Sequence, residues 1–168
     1  VGLVLIYSFT LAPGLTWANR GADGGDLIVA AATNGVAHPS GYPTYLFLAK
    51  LFQLIPVGVL AFRTNLMSSV FAVLSALLVS DLARKAYPGT DLFTRWAGFL
   101  TGLAFGLSPL FWSQAIITEV YTLHALLIVV ILWMMPLSGS FPPKKCIWFE
   151  RLGSLLFGLA LGNQLTVI

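Results

Sequence analysis

Long apolar runs separated by short basic stretches restrict this chain to few folds. Residues 65–82, 96–110 and 116–135 are apolar runs, and so is the chain from residue 152 to its end. Lipid offers the backbone no hydrogen-bond partners, so a chain crossing it does so as helices of ~20 mostly apolar residues. Only 9% of the residues are charged and 58% are hydrophobic, whereas a soluble domain carries roughly 25% charged residues. So few charges cannot clothe a water-facing surface, and lipid must cover much of this one. Residues 1–15 read as the tail of a further span, or as the core of a signal peptide. The expected fold is all-α: a polytopic membrane helix bundle of about five spans, forming a single module over residues 1–168. The chain opens on Val1 and closes inside an apolar run, so it reads as a fragment of a longer protein.

Residues 17–63 form a long first loop of a different kind. They carry Arg20, Asp23, Asp26, Asn34, His38, Lys50 and Arg63 among glycines and prolines. Residues 26–34 are rich in alanine and read as a short helix stopped by Gly35. His38-Pro39-Ser40-Gly41-Tyr42-Pro43 is turn chemistry. Residues 44–55 read as a helix too short to span, lying in the interface and ended by Pro56.

Alternating spans put residues 84–95 and 136–151 on one side of the bilayer. That side holds Arg84, Lys85, Arg95, Lys144, Lys145 and Arg151, against Arg20, Lys50 and Arg63 on the other. The positive-inside rule makes the richer side cytoplasmic and turns the 17–63 loop to an extracytoplasmic or luminal face. The net charge of +3 does not indicate nucleic acid, because the basic residues flank apolar runs and form no stripe. The single cysteine, Cys146, excludes an internal disulfide. Gly98, Gly102 and Gly106 recur every four residues, as do Gly158 and Gly162. Small residues at that spacing let helices approach closely in lipid, so both sets are expected to pack.

This orientation gathers Asp23, Asp26, His38 and Glu119 on the outer side, with His124 at the boundary. Asp81, Asp91 and Glu150 fall beside the cytoplasmic basic cluster, where surface pairing is expected. The i, i+3 spacing of Asp23 and Asp26 puts both on one helix face. There they serve either as a helix start, Asp23 as N-cap and Asp26 in the first turn, or as a general base or metal ligand at the membrane surface. Glu119, at the start of the 116–135 run, is the costliest acid to place. Trp112, Gln114 and Tyr121 can rim a pocket beside it, or belong to an interfacial aromatic belt. Asn163 and Gln164 stand ~20 Å along the last span, near the outer side, where they join the cluster or hydrogen-bond between helices.

Together the runs Asp23-Gly24-Gly25-Asp26, Gly35-Val36-Ala37-His38-Pro39-Ser40-Gly41-Tyr42-Pro43, Arg63-Thr64-Asn65-Leu66, Phe111-Trp112-Ser113-Gln114, Glu119-Val120-Tyr121 and Gly158-Leu159-Ala160-Leu161-Gly162-Asn163 resemble the multi-pass family that includes transmembrane O-mannosyltransferases, of the glycosyltransferase C superfamily. The resemblance covers nearly the whole chain in order. It implies transfer of a sugar, mannose in the named members, from a polyprenyl-phosphate donor to a hydroxyl of a protein or glycan acceptor on the outer side. It implies an acidic residue of the first outer loop as base, which places Asp23 and Asp26 in the catalytic role, Asp23 ahead. His38, Tyr42, Arg63, Gln114, Glu119, Tyr121, Asn163 and Gln164 are then substrate-binding candidates. No metal-binding residues and no cofactor are assigned, with a divalent metal left open. The chain departs from the family pattern at Ser40, often Pro, and at Gln164, often His.

The residue chemistry is compatible with this reading. A hydroxyl is a poor nucleophile until a carboxylate takes its proton, and a lipid phosphate leaves readily when cations stabilise its charge. Two other classes compete: a transporter or channel with Glu119 and Gln164 on a polar path, and a non-catalytic membrane subunit. Acids gathered at one surface, without repeated spans, count against the transporter.

Overall fold

The computed structural model describes residues 2–86, 89, 91–138 and 143–164, without the side chains of 135–138 and 143–145. Pro142 and the last four residues of the final apolar run lie outside the described residues. Among the described residues there are eight α-helices and no strand. They are α1 (Gly2–Thr10), α2 (Gly24–Thr33), α3 (Pro43–Gln53), α4 (Leu60–Ala86), α5 (Leu92–Gly106), α6 (Pro109–Ala115), α7 (Tyr121–Ser138) and α8 (Pro143–Leu161), with a 3₁₀ turn at Ala18–Arg20.

Local chemistry sets most of the boundaries. Asn34 closes α2 in the left-handed conformation (φ 55°), one residue before the expected Gly35. A short polar side chain tolerates that conformation. Proline at the first turn opens both α3 and α6, where its missing N–H costs no helical bond. Asp91 caps α5 by accepting the Thr94 N–H at 3.1 Å, so this acid serves a helix start and not the surface pairing expected of it.

The spans differ from expectation in length. At 27 residues α4 is the one helix among those described that is long and apolar enough to cross a membrane by length and composition, with mean hydropathy 1.9. Its ~40 Å length exceeds a hydrocarbon core of ~30 Å. The expected 96–110 run closes at Ser108-Pro109, where proline ends it, but starts earlier, at Leu92, and α5 has 15 residues, or ~22 Å. The residues expected to begin a span at 116 form a loop, and α7 begins at Tyr121. The apolar residues at the chain's start give only the nine-residue α1.

Helix α4 is the hub, packing chiefly on α5 and α7 and also on α3 and α6. Its buried face is built of small residues: Ser68, Ser69, Ala72, Ser75 and Ala76. Opposite lie the buried Gly98 and Gly102, while Gly106, also buried, meets Leu3 of α1. A Cβ on Gly102 would stand 2.6 Å from the Ala76 carbonyl, so the expected glycine stripe does bring two backbones together. The second glycine pair is split. Gly162 packs with the Thr44 Oγ1 2.7 Å from its virtual Cβ, whereas Gly158 faces open space. Gly102→Ala is therefore expected to lower the melting temperature of the full-length protein in detergent, by overpacking of about 1–3 kcal/mol. Gly158→Ala should leave it unchanged or higher, since alanine favours the helix.

Large apolar side chains stand exposed on most helices, among them Phe9, Leu74, Phe93, Leu110 and Phe157. So much exposed apolar surface is far beyond the isolated patches of a water-soluble monomer.

Candidate functional site

The site lies where the first loop meets the α6–α7 connection. Gly24 is buried, and a Cβ there would sit 3.3 Å from the Thr118 carbonyl. A Cβ on Gly21 would sit 2.8 Å from the Thr16 carbonyl and 3.3 Å from the Ile117 side chain. Side chains at either position would push the start of α2 away from residues 117–119. The glycines flanking Asp23 thus allow it to approach Glu119.

A buried polar knot fixes that connection. Asn65 on α4 donates to the Ala12 and Gly14 carbonyls at 2.8 and 3.1 Å and accepts from Thr118 Oγ1 at 2.6 Å. Thr118 also meets Thr64 Oγ1 at 2.6 Å. Asn65 occurs in one of the motif runs but was not singled out as a site residue. The available signal was an amide within an apolar run, which is costly unless fully bonded. Asn65→Ala strands two carbonyls and a hydroxyl, and is expected to destabilise by about 2–4 kcal/mol. Detergent melting of the full-length protein measures it.

Asp23 stands at the N-cap position of α2, but its side chain makes no capping hydrogen bond. Its Oδ2 lies 3.6 Å from His38 Nε2. Asp26, three residues on, accepts both the His38 backbone N–H and Nδ1, each at 2.8 Å. These two bonds hold the Asp26 carboxyl below the usual carboxylate range, the backbone bond contributing more. A carboxylate only accepts, so His38 Nδ1 carries the proton and Nε2 faces Asp23 and Tyr42. The Tyr42 hydroxyl is 3.4 Å from Nε2, and the two rings meet edge-on at 5.2 Å.

Glu119 is 3% exposed. It lies in the loop before α7, outside any helix. The nearby backbone N–H groups of Val120 and Asp23 favour its charged form. Burial, reinforced by the Asp23 charge, nonetheless pushes its pKa up to about 7. Tyr42 is pushed up by burial and then by the charges of Asp23, Tyr121 and Glu119. Tyr45, fully buried on α3 and not anticipated as part of this group, is raised by burial and by Glu119.

A cavity of about 450 Å³ opens here. Asp23, Glu119, Gln114, Tyr121 and Arg20 supply its polar lining, and Phe105, Leu110 and Phe111 an apolar wall. Gln114 also donates to the Asn19 carbonyl at 3.0 Å, steadying the turn that carries Arg20. Asn163 is fully buried and donates to the Val120 carbonyl at 3.2 Å. Gln164 follows it at the end of α8. The structure thus brings together Asp23, Asp26, His38, Tyr42, Gln114, Glu119 and Tyr121, with Asn163 behind them. Arg63 is placed elsewhere: its guanidinium bonds the Gln53, Val57 and Gly58 carbonyls at 2.5, 2.8 and 3.1 Å and so ties the α3–α4 turn. Among the described residues no group of three His, Cys, Asp or Glu side chains is arranged to hold a metal ion.

Residues 23–168 match the family described as Protein O-mannosyl-transferase TMEM260 N-terminal domain. The chain belongs to this family. The TMEM260 N-terminal domain match covers every residue of the cluster above. Among curated relatives, the mouse protein O-mannosyl-transferase TMEM260 is 34% identical over 151 residues, 88% of this chain and 21% of that protein. The Dictyostelium discoideum protein O-mannosyl-transferase tmem260 is 31% identical over 139 residues, 80% of this chain and 16% of that protein. The chain thus spans about a fifth or less of the relatives it matches. No solved structure matches it.

Proposed function

We propose that this chain is the catalytic membrane module of a mannosyltransferase that moves mannose from a polyprenyl-phosphate donor to an acceptor hydroxyl on the extracytoplasmic side. The observation that carries the reading is the cavity holding Asp23 and Glu119 together with Arg20, in a chain whose named relatives are O-mannosyl-transferases. Asp23 is the base. It lines the cavity, and no capping bond occupies its side chain. It takes the acceptor proton as the hydroxyl oxygen attacks the sugar's anomeric carbon and the bond to the lipid phosphate breaks. His38, oriented by Asp26, stands close enough to receive that proton in turn. Arg20 meets the departing phosphate's charge, and Phe105, Leu110 and Phe111 give the first part of the lipid tail an apolar wall.

The membrane part of the proposal has α4, α7 and α8 crossing the bilayer, with shorter helices completed by packing in the longer protein, to about five passes over residues 1–168. Residues 17–63 then form the first outer loop, with α2 and α3 at the interface. Basic residues concentrated at the far end of α4 favour that orientation. The acids of the cluster gather beside one end of the bundle, which disfavours a transport path through it.

The test supplies the purified full-length protein with mannose on a polyprenyl phosphate or on a nucleotide, together with an acceptor protein. Transfer from the lipid donor alone is expected. Transfer from the nucleotide sugar alone, or from neither, would overturn the donor assignment.

A further inference from the structure

We propose that the cavity at the junction of α4 and α5 binds a phosphate group, that of an anionic lipid headgroup. This cavity, about 280 Å³, is lined by Asp81, Arg84, Lys85, Gly89, Thr94 and Arg95. It lies far from the site above: Asn65 and Asp81 are 16 residues apart on one helix, ~24 Å along its axis.

Three cations and one carboxylate line the cavity, and the carboxylate is already engaged. Asp81 Oδ2 accepts from Lys85 Nζ at 2.8 Å and from Trp133 Nε1 at 2.7 Å. Lys85 also stands over the Trp133 ring, 3.9 Å from its centre. Among the described residues Arg84 and Arg95 have neither an ion pair nor a hydrogen bond to their guanidinium groups. Their approach is built in. The Arg84 stem lies against Gly98, where any Cβ would collide with its Cγ, and Arg95 shares that face of α5 at i, i+3. Two guanidinium groups on one cavity repel each other, an anion between them relieves that repulsion, and phosphate takes two such forks.

The setting points to a lipid as the source. The cavity is at the end of α4, the helix that is long enough to cross the bilayer, so it lies at headgroup depth. Leu92, Phe93 and Trp96 are exposed beside Arg95 and suit insertion among acyl chains below the headgroups. Basic pockets between helices at this depth hold acidic headgroups. The lipid source rests on α4 crossing the bilayer; the phosphate site does not depend on the sugar-transfer reading.

The test uses delipidated full-length protein in detergent. Native mass spectrometry follows retention of phosphatidic acid against phosphatidylcholine, and calorimetry follows inorganic phosphate. Wild type is expected to favour phosphatidic acid, and Arg84→Gln/Arg95→Gln to lose about 30-fold in affinity for it. Arg84→Lys/Arg95→Lys should retain most of the preference, and Arg151→Gln, which removes an exposed cation from α8, should retain all of it. An unchanged helical circular dichroism spectrum with cooperative melting of the double glutamine variant reports that it folds. Inorganic phosphate bound by wild type, and lost in that variant, without any lipid preference would place the source in free phosphate. Equal binding of both ligands by wild type and the double glutamine variant, or no binding of either by wild type, would overturn the site. Release of the protein from membranes by alkaline carbonate would overturn the lipid source alone.

Discussion

Asp23→Asn in the full-length protein is expected to lower sugar transfer by about 10²- to 10⁴-fold, the range of a lost general base, with little change in melting temperature. The amide keeps the size of the carboxylate and cannot take a proton. Stability should hold because the Asp23 side chain makes no capping bond to lose. Its interaction with His38, at 3.6 Å between half-exposed groups, contributes little to stability in water. Asp26→Asn should behave differently. Asp26 holds His38 through two bonds to one oxygen; the amide oxygen of the variant still accepts but lacks the charge that strengthens both bonds, so the imidazole is held more weakly. A smaller fall in activity and some loss of stability are expected. The two variants separate a group that reacts from one that positions its neighbour. Full activity in both would overturn the assignment of the base to this loop.

How much of this was legible in the sequence depended on the range of the interactions. The all-α class follows from apolar runs and sparse charge, which are local. The short helices of the first loop were also legible: the alanine-rich stretch before Gly35 and the prolines at 43 and 56 place α2 and α3 within a few residues. The grouping of Asp23 with Glu119 followed from the expectation that their loops share one side of a bilayer; the contact itself rests on Gly24 packing against Thr118, which no local pattern marks.

The misreadings were packing decisions. Gly158 and Gly162 carry the same spacing signal, yet only Gly162 has a neighbour, Thr44, to approach. Arg63 is a cation on the expected face, and its guanidinium is held by three carbonyls of the α3–α4 turn. The Asp23 N-cap reading failed because the backbone there is already helical, at φ −87° and ψ −15°. An N-cap side chain reaches back to the first turn from an extended backbone. Asn65 and Tyr45 were missed because their partners, Thr118 and Glu119, lie more than fifty residues away, and no local pattern marks them.

Glu119→Gln is expected to remove a pH dependence that the wild-type protein shows near neutrality. Burial and the Asp23 charge raise the Glu119 pKa to about 7, so below that value the cavity holds one negative carboxylate and above it two. A second charge faces the donor phosphate. At ~6 Å and an effective dielectric of ~20, that repulsion is worth up to ~3 kcal/mol, or roughly ten- to a hundredfold in donor affinity after solvent screening. Wild-type KM for the polyprenyl-phosphate donor should therefore rise between pH 6 and 8.5, by about that factor. Glutamine keeps the size of the side chain but carries no charge, so its KM should stay flat across this range. Stability follows the same proton. From the ordinary carboxyl pKa up to about 7 the folded protein binds the proton more tightly than the unfolded chain, so stability falls as pH rises through that window and levels off above it. The melting temperature of Glu119→Gln should lack that decline, matching wild type at pH 5 and exceeding it at pH 8. A variant whose KM and melting temperature both track wild type across the range would show that Glu119 does not change charge there, and that the two acids do not share the cavity as described.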